Sequence, residues 1–404
     1  MRGKKLLMTW EAGAFLGHRM LVASAAGLMA AQGHKVTVAA PLDAPAPFDV
    51  LPDGLDWQCC VPPLASTPDH RLAFSWESRA TSLWHAGFQS PTLVAERLKQ
   101  WRALLVKFQP DLCLLQAAPF AQIASRAVGI PSVEFGIGFD VPPKTALFPP
   151  FRGRDTFDAA QATTLEQRIR DAVFAAEPSL ATANAPLSHL VAGDTRLVTS
   201  IAELDHYDGA PGRQFVGPLP LPELAAASGA EDRWPQRSAT QRRILAYLRH
   251  ESVDLGRMLQ AIASVDGGTA SAVVVCTDAL PAHADQALAL GIRLHRAPLA
   301  LTTLLPQTDV VISHGGGLMA EALVRGRPCV VLPSHFEQFM AAKQAARHQL
   351  AVVVNPADPQ NWAAAIQHAL RTQSVLRACQ AAQNKYRAHV AAPGTAFLKA
   401  IWPA

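Results

Sequence analysis

Short apolar runs alternate along the chain with longer stretches of helical periodicity, and the alternation occurs twice with a proline-rich break between. Lys5–Trp10 reads as a buried strand, followed by a glycine-bearing turn and a helix over 21–31. Gly33 and His34 close that helix, and 36–40 reads as a second strand. Leu112–Gln116, 132–135 and 196–200 read as further strands, with a helix over 122–127. Near-continuous apolar strands alternating with helices predict a parallel sheet covered on both faces.

From Gln214 to Ala239 the pattern breaks. Four prolines and a run of alanines there cannot sit inside a sheet, so the segment is expected to link two domains. A second series follows: strands over 244–248, 272–276, Val310–Ser313, 329–332 and 351–354, with helices over 255–264 and 340–348 and a helix-prone run over 361–386. The expected organisation is an N-terminal domain over 1–213, a linker over 214–239, a second domain over 240–385, and a tail over 386–404 packing back on the first domain. Two doubly wound α/β halves would face each other across a cleft, with ligands outside the carboxyl ends of strands.

Composition narrows the function classes. At 404 residues and 50% apolar content the chain can bury two cores. A net charge of +4 with no basic run interleaved with aromatics does not point to nucleic acid. The apolar run after Lys4 and Lys5 is ended by Thr9 and Glu11, and no later stretch reaches about 18 uninterrupted apolar residues, so neither a signal peptide nor a transmembrane span is expected. The six cysteines lack paired spacing and read as reduced core residues with no metal role, which places the protein in the cytoplasm. Peripheral attachment at the inner membrane face is compatible with this charge.

The chemistry concentrates after Asp309. A buried strand runs into His314, Gly315, Gly316 and Gly317, then a helix carrying Glu321, then Gly326 and Pro328 before the next strand. Three glycines let a ligand approach the backbone, and the helix start supplies free N–H groups and a positive dipole end suited to a pyrophosphate. His314 adds a donor, and Glu321 could accept from ribose hydroxyls. At the end of the next strand Glu337 and Gln338 can bond several sugar hydroxyls. A tight strand–helix connection with no ligand is the plainer alternative. The Gly-x-Gly-x-x-Gly spacing of redox dinucleotide sites is absent.

The run His-Gly-Gly, Glu-Ala-Leu, Gly-x-Pro, Leu-Pro and an acid–Gln pair resembles the donor signature of UDP-glycosyltransferases, enzymes of the GT-B fold found in antibiotic, sterol and plant-metabolite glycosylation. Weaker matches stand in the same order: Gly17-His18, Gly33-His34, Pro110-Asp111, Gly129-Ile-Pro131 and Val216-Gly217-Pro218. The resemblance implies an inverting O-glycosyltransferase, independent of metal and without a cofactor, moving sugar from a UDP- or dTDP-sugar to an acceptor hydroxyl. It implies a diphosphate held by His314 and the backbone of Gly315, Gly316, Gly317 and Leu318, a ribose on Glu321 and a donor sugar on Glu337 and Gln338. The base would lie near Arg296, Ala297 and Pro298, stacked on Arg296 or read by backbone alone. Arg249, where many relatives have Gly-Ser or Gly-Thr, is either a phosphate clamp or a solvated loop residue.

By the same resemblance His18 is the general base. Relatives orient this histidine with an Asp where this chain has Gln116. Glu11 could substitute, or His18 could act unassisted. Trp10, Phe15, Trp76, Trp84, Phe88 and Phe139 favour an apolar small-molecule or lipid-like acceptor. A nucleotide-sugar epimerase and a non-catalytic donor-binding homologue are the alternatives. The sugar, the acceptor and the oligomeric state are left open.

Overall fold

A computed structural model describes residues 3–13, 16–48, 50–62, 64, 77–151, 157–183, 185–220, 233–234, 241–299 and 301–402. The chain groups into two compact units, Met1–Thr199, His206–Pro222 and Ala396–Ala404 in one, Ser200–Asp205 and Glu223–Thr395 in the other.

In the first unit β1 (Lys5–Trp10), β2 (Lys35–Pro41), β3 (Leu55–Val61), β4 (Leu112–Gln116), β5 (Ser132–Gly136), β6 (Thr195–Val198) and β7 (Gln214–Phe215) form one sheet. Its order is β3-β2-β1-β4-β5-β6-β7 and every pairing is parallel. The helices are α1 (Leu16–Ala31), α2 (Arg79–Leu83), α3 (Pro91–Phe108), α4 (Pro119–Ala127), α5 (Ala159–Ala176) and α6 (Leu187–Leu190). Side-chain alternation splits β1 and β4 between two cores. Leu6, Met8, Trp10, Leu112 and Leu114 join Val22, Ala26 and Met29 of α1. Leu7, Cys113 and Leu115 join α3, α4 and α5. Burial on both faces explains why these strands read as continuous apolar runs.

The second unit repeats the plan. Strands β8 (Arg243–Tyr247), β9 (Ser271–Val275), β10 (Arg293–His295), β11 (Val310–Ser313), β12 (Cys329–Val331) and β13 (Ala351–Val353) pair in parallel in the order β10-β9-β8-β11-β12-β13. Its helices are α7 (Leu255–Ala263), α8 (Pro281–Ala289), α9 (Leu301–Leu304), α10 (Gly316–Val324), α11 (Phe336–Arg347), α12 (Trp362–Arg371), α13 (Gln373–Lys385) and α14 (Arg387–Ala391). The last helix, α15 (Thr395–Ile401), belongs to the first unit. There Phe397 is fully buried, edge-on to Phe135 at 5.7 Å.

The expected boundaries shift at three places. Residues 214–220 are part of the first unit rather than linker: Gln214–Phe215 is its edge strand, and Val216 and Leu219 are core. Trp234 is buried in the second unit, donating to Leu304 O at 3.0 Å; the residues between, 221–232, lie outside the described chain. Only α15, not the whole stretch from 386, groups with the first unit. Strands β3 and β10 are absent from the sequence reading because both are half-exposed edges whose polar residues blur the apolar run. Cys59 is exposed and Cys60 only partly buried, so the six cysteines, all free thiols, are not all core. No described helix is long and apolar enough to cross a membrane.

Candidate functional site

In each sheet the strand order reverses once, between β1 and β4 and between β8 and β11, and crevices for ligands open at the carboxyl ends of such pairs. Trp10 pairs with Gln116 at the ends of β1 and β4. Alternation after Leu112 and Leu114 sends Gln116 to the α1 face. Helix α1 begins at Leu16, five residues before the expected start at 21, so His18 lies in its first turn. There His18 Nδ1 is 2.9 Å from Gln116 Oε1. An amide oxygen only accepts, so Nδ1 carries the proton and Nε2 keeps its lone pair. Gln116 Nε2 donates onward to Asp140 Oδ2 at 2.9 Å. Asp140 lies in the segment after β5, where the sequence alone marks no role for it. Gly136, four residues earlier, is its one sequence signal: a Cβ there would stand 2.7 Å from the Cβ of Asp140.

Glu11 does not take the orienting part. Its Oε1 accepts from Trp101 Nε1 and its Oε2 from Phe120 N at 2.8 Å. It thereby caps α4, which begins with Pro119 and has no side-chain cap of its own. Burial pushes its carboxyl up from the ordinary 4.5 to about 7, against the lowering effect of those hydrogen bonds. The turn is fixed further by Ala12 N donating to Ala117 O at 3.1 Å. Ala117, next to Gln116, holds a left-handed φ of 44°, the kind of local strain that collects at functional positions.

The expected acceptor aromatics divide. Trp10 and Phe88 are core: Trp10 packs on Trp57 at 5.9 Å, and Phe88 stacks on Phe120 at 4.1 Å. Trp10 is only 2% exposed within the α1-side core, which leaves it no surface to offer an acceptor. Trp84 is half-buried against the α3–α5 core in a short π-helical turn, Trp84–Phe88. Phe139 is partly exposed, adjoins Asp140 and stacks on Phe151 at 4.8 Å. Phe15 and Trp76 lie outside the described residues.

In the second unit Tyr247 pairs with Ser313 at the ends of β8 and β11. Gly315 is the N-cap of α10 with φ 109°, Gly316 opens the helix with φ 67°, and no side chain caps it. These two positive φ values require glycine. A Cβ on Gly317 would meet nothing within 4 Å, so open space lies over the first turn. The helix start therefore presents backbone N–H groups and a positive dipole end to that space.

Two expected donor contacts are committed elsewhere. His314 is buried, with Nδ1 2.8 Å from Leu332 O and Nε2 accepting from Arg249 N at 3.0 Å. Burial lowers its pKa, and a neutral ring with both nitrogens engaged ties β8, β11 and β12 together rather than donating to a diphosphate. Glu321 is buried and paired with Arg325 one turn on. Burial raises its pKa and Arg325 opposes the rise. The helix starts at Gly316, which leaves Glu321 in the second turn facing inward, away from the open end.

Gln338 sits in the first turn of α11, where its Oε1 accepts from Ser334 N at 2.9 Å and Ser334 Oγ at 3.0 Å. The same Oε1 takes the return bond of a capping box from the N-cap residue, His335 N, at 3.3 Å, and Nε2 is left as the amide's donating half. Glu337, half-buried, precedes it. A Cβ on Gly315 would lie 3.6 Å from the Cβ of Gln338, so the glycine turn and the acid–amide pair adjoin. Arg249 Nη2 donates to Ser252 Oγ at 3.1 Å. Burial lowers the pKa of both His314 and His335, and the charge of Arg249 adds to the effect. Arg296 and Ala297 are exposed and Pro298 partly buried at the carboxyl end of β10. Three strand spacings separate β10 from β11, roughly 14 Å.

No protein-family model and no curated protein matches the chain. Solved structures do. The glycotransferase of kitacinnamycin is 20% identical with a TM-score of 0.68, covering 99% of this chain and 98% of that one. The calicheamicin glycosyltransferase CalG4 is 16% identical with a TM-score of 0.64 over 100% of both chains. The glycosyltransferase VinC in complex with dTDP is 19% identical with a TM-score of 0.63, covering 98% and 99%. With two doubly wound parallel sheets matched over nearly its full length, the chain has the GT-B fold of these glycosyltransferases.

Proposed function

We propose that the protein is an inverting O-glycosyltransferase that moves a sugar from a UDP- or dTDP-sugar to the hydroxyl of an apolar acceptor. The uncapped, glycine-opened start of α10, at the strand reversal of the second sheet, carries the reading. It offers N–H groups and a helix dipole to a diphosphate. The geometry favours Gly316, Gly317 and Leu318 as the diphosphate cradle, Arg249 beside it, and the Gln338 amide with Glu337 for the sugar. The base would occupy the exposed end of β10 at Arg296, Ala297 and Pro298, a distance from α10 that suits an extended nucleoside diphosphate. His314 and Glu321 support this site from behind. VinC was solved with dTDP and the rhamnosyltransferase SpnG with thymidine diphosphate, which favours a nucleoside-diphosphate donor here.

His18 is the proposed base. Its Nε2 takes the proton of the acceptor hydroxyl while that oxygen bonds to the anomeric carbon. The nucleoside diphosphate leaves from the opposite face with the bonding pair, which inverts the configuration. Its negative charge is met by the α10 dipole and N–H groups, so the scheme calls for no metal. Phe139, partly exposed in the turn after β5, is the aromatic we assign to an apolar acceptor. SpnG has been solved with the spinosyn aglycone, an acceptor-side ligand of that protein.

A thermal-shift panel of UDP- and dTDP-sugars tests the donor assignment, because a ligand that binds only the folded state raises Tm. One sugar nucleotide is expected to raise Tm and to be turned over with a hydrophobic alcohol. His18→Ala should keep the Tm shift and lose turnover. A panel with no response sinks the donor site, and full turnover in His18→Ala sinks the base.

A further inference from the structure

Gln116 is fully buried, and both ends of its amide are used. One end meets His18 Nδ1 at 2.9 Å and the other meets Asp140 Oδ2 at 2.9 Å. A carboxylate has only acceptors, so the Gln116 end facing Asp140 must be its NH2. The opposite end is then the carbonyl oxygen, and the ring nitrogen facing it must carry a proton. Asp140 thus dictates the amide's orientation, the amide dictates the imidazole tautomer, and the lone pair is left on Nε2.

The surroundings hold Asp140 in place for this. It is buried, and its backbone N donates to Ile137 O at 3.0 Å in a turn directly after β5. Gly136 leaves the space its side chain fills: a Cβ there would come 2.9 Å from Oδ2. The far end of the loop is tied down by Arg196, which donates to Pro142 O and pairs with Glu134 at 2.8 Å. Glu134 and Arg196 face each other in register on β5 and β6.

We infer that Asp140 is a positioning residue that acts on His18 through Gln116, a His–amide–carboxylate relay that fixes the Nδ1–H tautomer. As the proton reaches Nε2, the amide dipole, polarised by Asp140, faces the forming imidazolium. The inference rests on the reading of His18 as the base.

Three isosteric proteins test it: wild type, Asp140→Asn and the double variant Gln116→Glu with Asp140→Asn. In the double variant the carboxylate moves one place along the relay and accepts from both neighbours. The readouts are the 15N shifts of the His18 ring and steady-state kinetics. Asp140→Asn should admit the Nε2–H tautomer and lower kcat by about 100-fold with the donor KM unchanged. The double variant should restore the Nδ1–H tautomer and most of kcat. Wild-type tautomer and kcat in Asp140→Asn would overturn the inference. So would a loss of kcat that Gln116→Glu does not repair, which would make Asp140 merely structural. If the wild type transfers no sugar, the function reading fails while the ring shifts still decide the relay.

Discussion

The ring of His18 lies close against Gly13: a Cβ at position 13 would stand 2.1 Å from Nε2 and 2.2 Å from Cδ2. Gly13 also holds φ 99°, which side chains rarely adopt. Gly13→Ala therefore displaces the imidazole and strains the turn. The strain should cost about 1–2 kcal/mol of stability. The kinetic loss should resemble removal of the base, about 10²–10⁴ in kcat. Turnover and urea melts on the same preparation check both, and an active, folded Gly13→Ala would mean the ring sits elsewhere during turnover.

Glu11 makes stability depend on pH. Burial raises its folded-state pKa from 4.5 to about 7, so the folded chain holds this proton more tightly than the unfolded chain. The resulting stability is fully present below about pH 4.5 and is lost as pH rises through 7. The loss should amount to roughly 3 kcal/mol. Glu11→Gln forgoes one acceptor at every pH but has no such slope. Urea melts from pH 5 to 8 should show the variant gaining on the wild type as pH rises; parallel curves would refute the assignment.

Glu321 is bound to Arg325 in the interior of its helix rather than directed at the open end of α10. Glu321→Gln should lower Tm and leave the dissociation constant of the donor nucleotide unchanged. Calorimetric titration with UDP and dTDP distinguishes the cases. A weaker complex at unaltered Tm would return Glu321 to the ribose.

Phe397 fills the α1-side core of the first sheet although it lies near the end of the sequence. Phe397→Ala should destabilise the first unit by about 3–5 kcal/mol. Nucleotide binding by the second unit should persist in that variant. Denaturation followed by Trp fluorescence measures the first effect and titration the second.

Two doubly wound sheets, and the strands after which their glycine turns fall, are legible in the sequence alone. Parallel strands covered on both faces are apolar over most of their length, so Lys5–Trp10, Leu112–Gln116 and Val310–Ser313 were legible to the residue. The glycine run after β11 was legible too, because only glycine serves a helix start with positive φ. Edge strands β3 and β10 escaped, since half-exposed strands carry no unbroken apolar signal.

What the sequence could not decide is which way a side chain on a known element is committed. Glu11, Glu321 and His314 were good chemical candidates, yet Trp101 and Phe120, Arg325, and Leu332 with Arg249 already occupy their polar atoms. Those partners come from elsewhere in the fold or from a helix register that motif spacing only approximates. With no acid at position 116, the sequence leaves His18 either to Glu11 or unassisted. The tertiary structure supplies a carboxylate through an amide, because parallel pairing sets β5 beside β4 and brings the turn carrying Asp140 to the end of Gln116. Hydrogen bonds between residues 98 and 24 positions apart depend on strand order, and strand order is fixed only when the sheet closes.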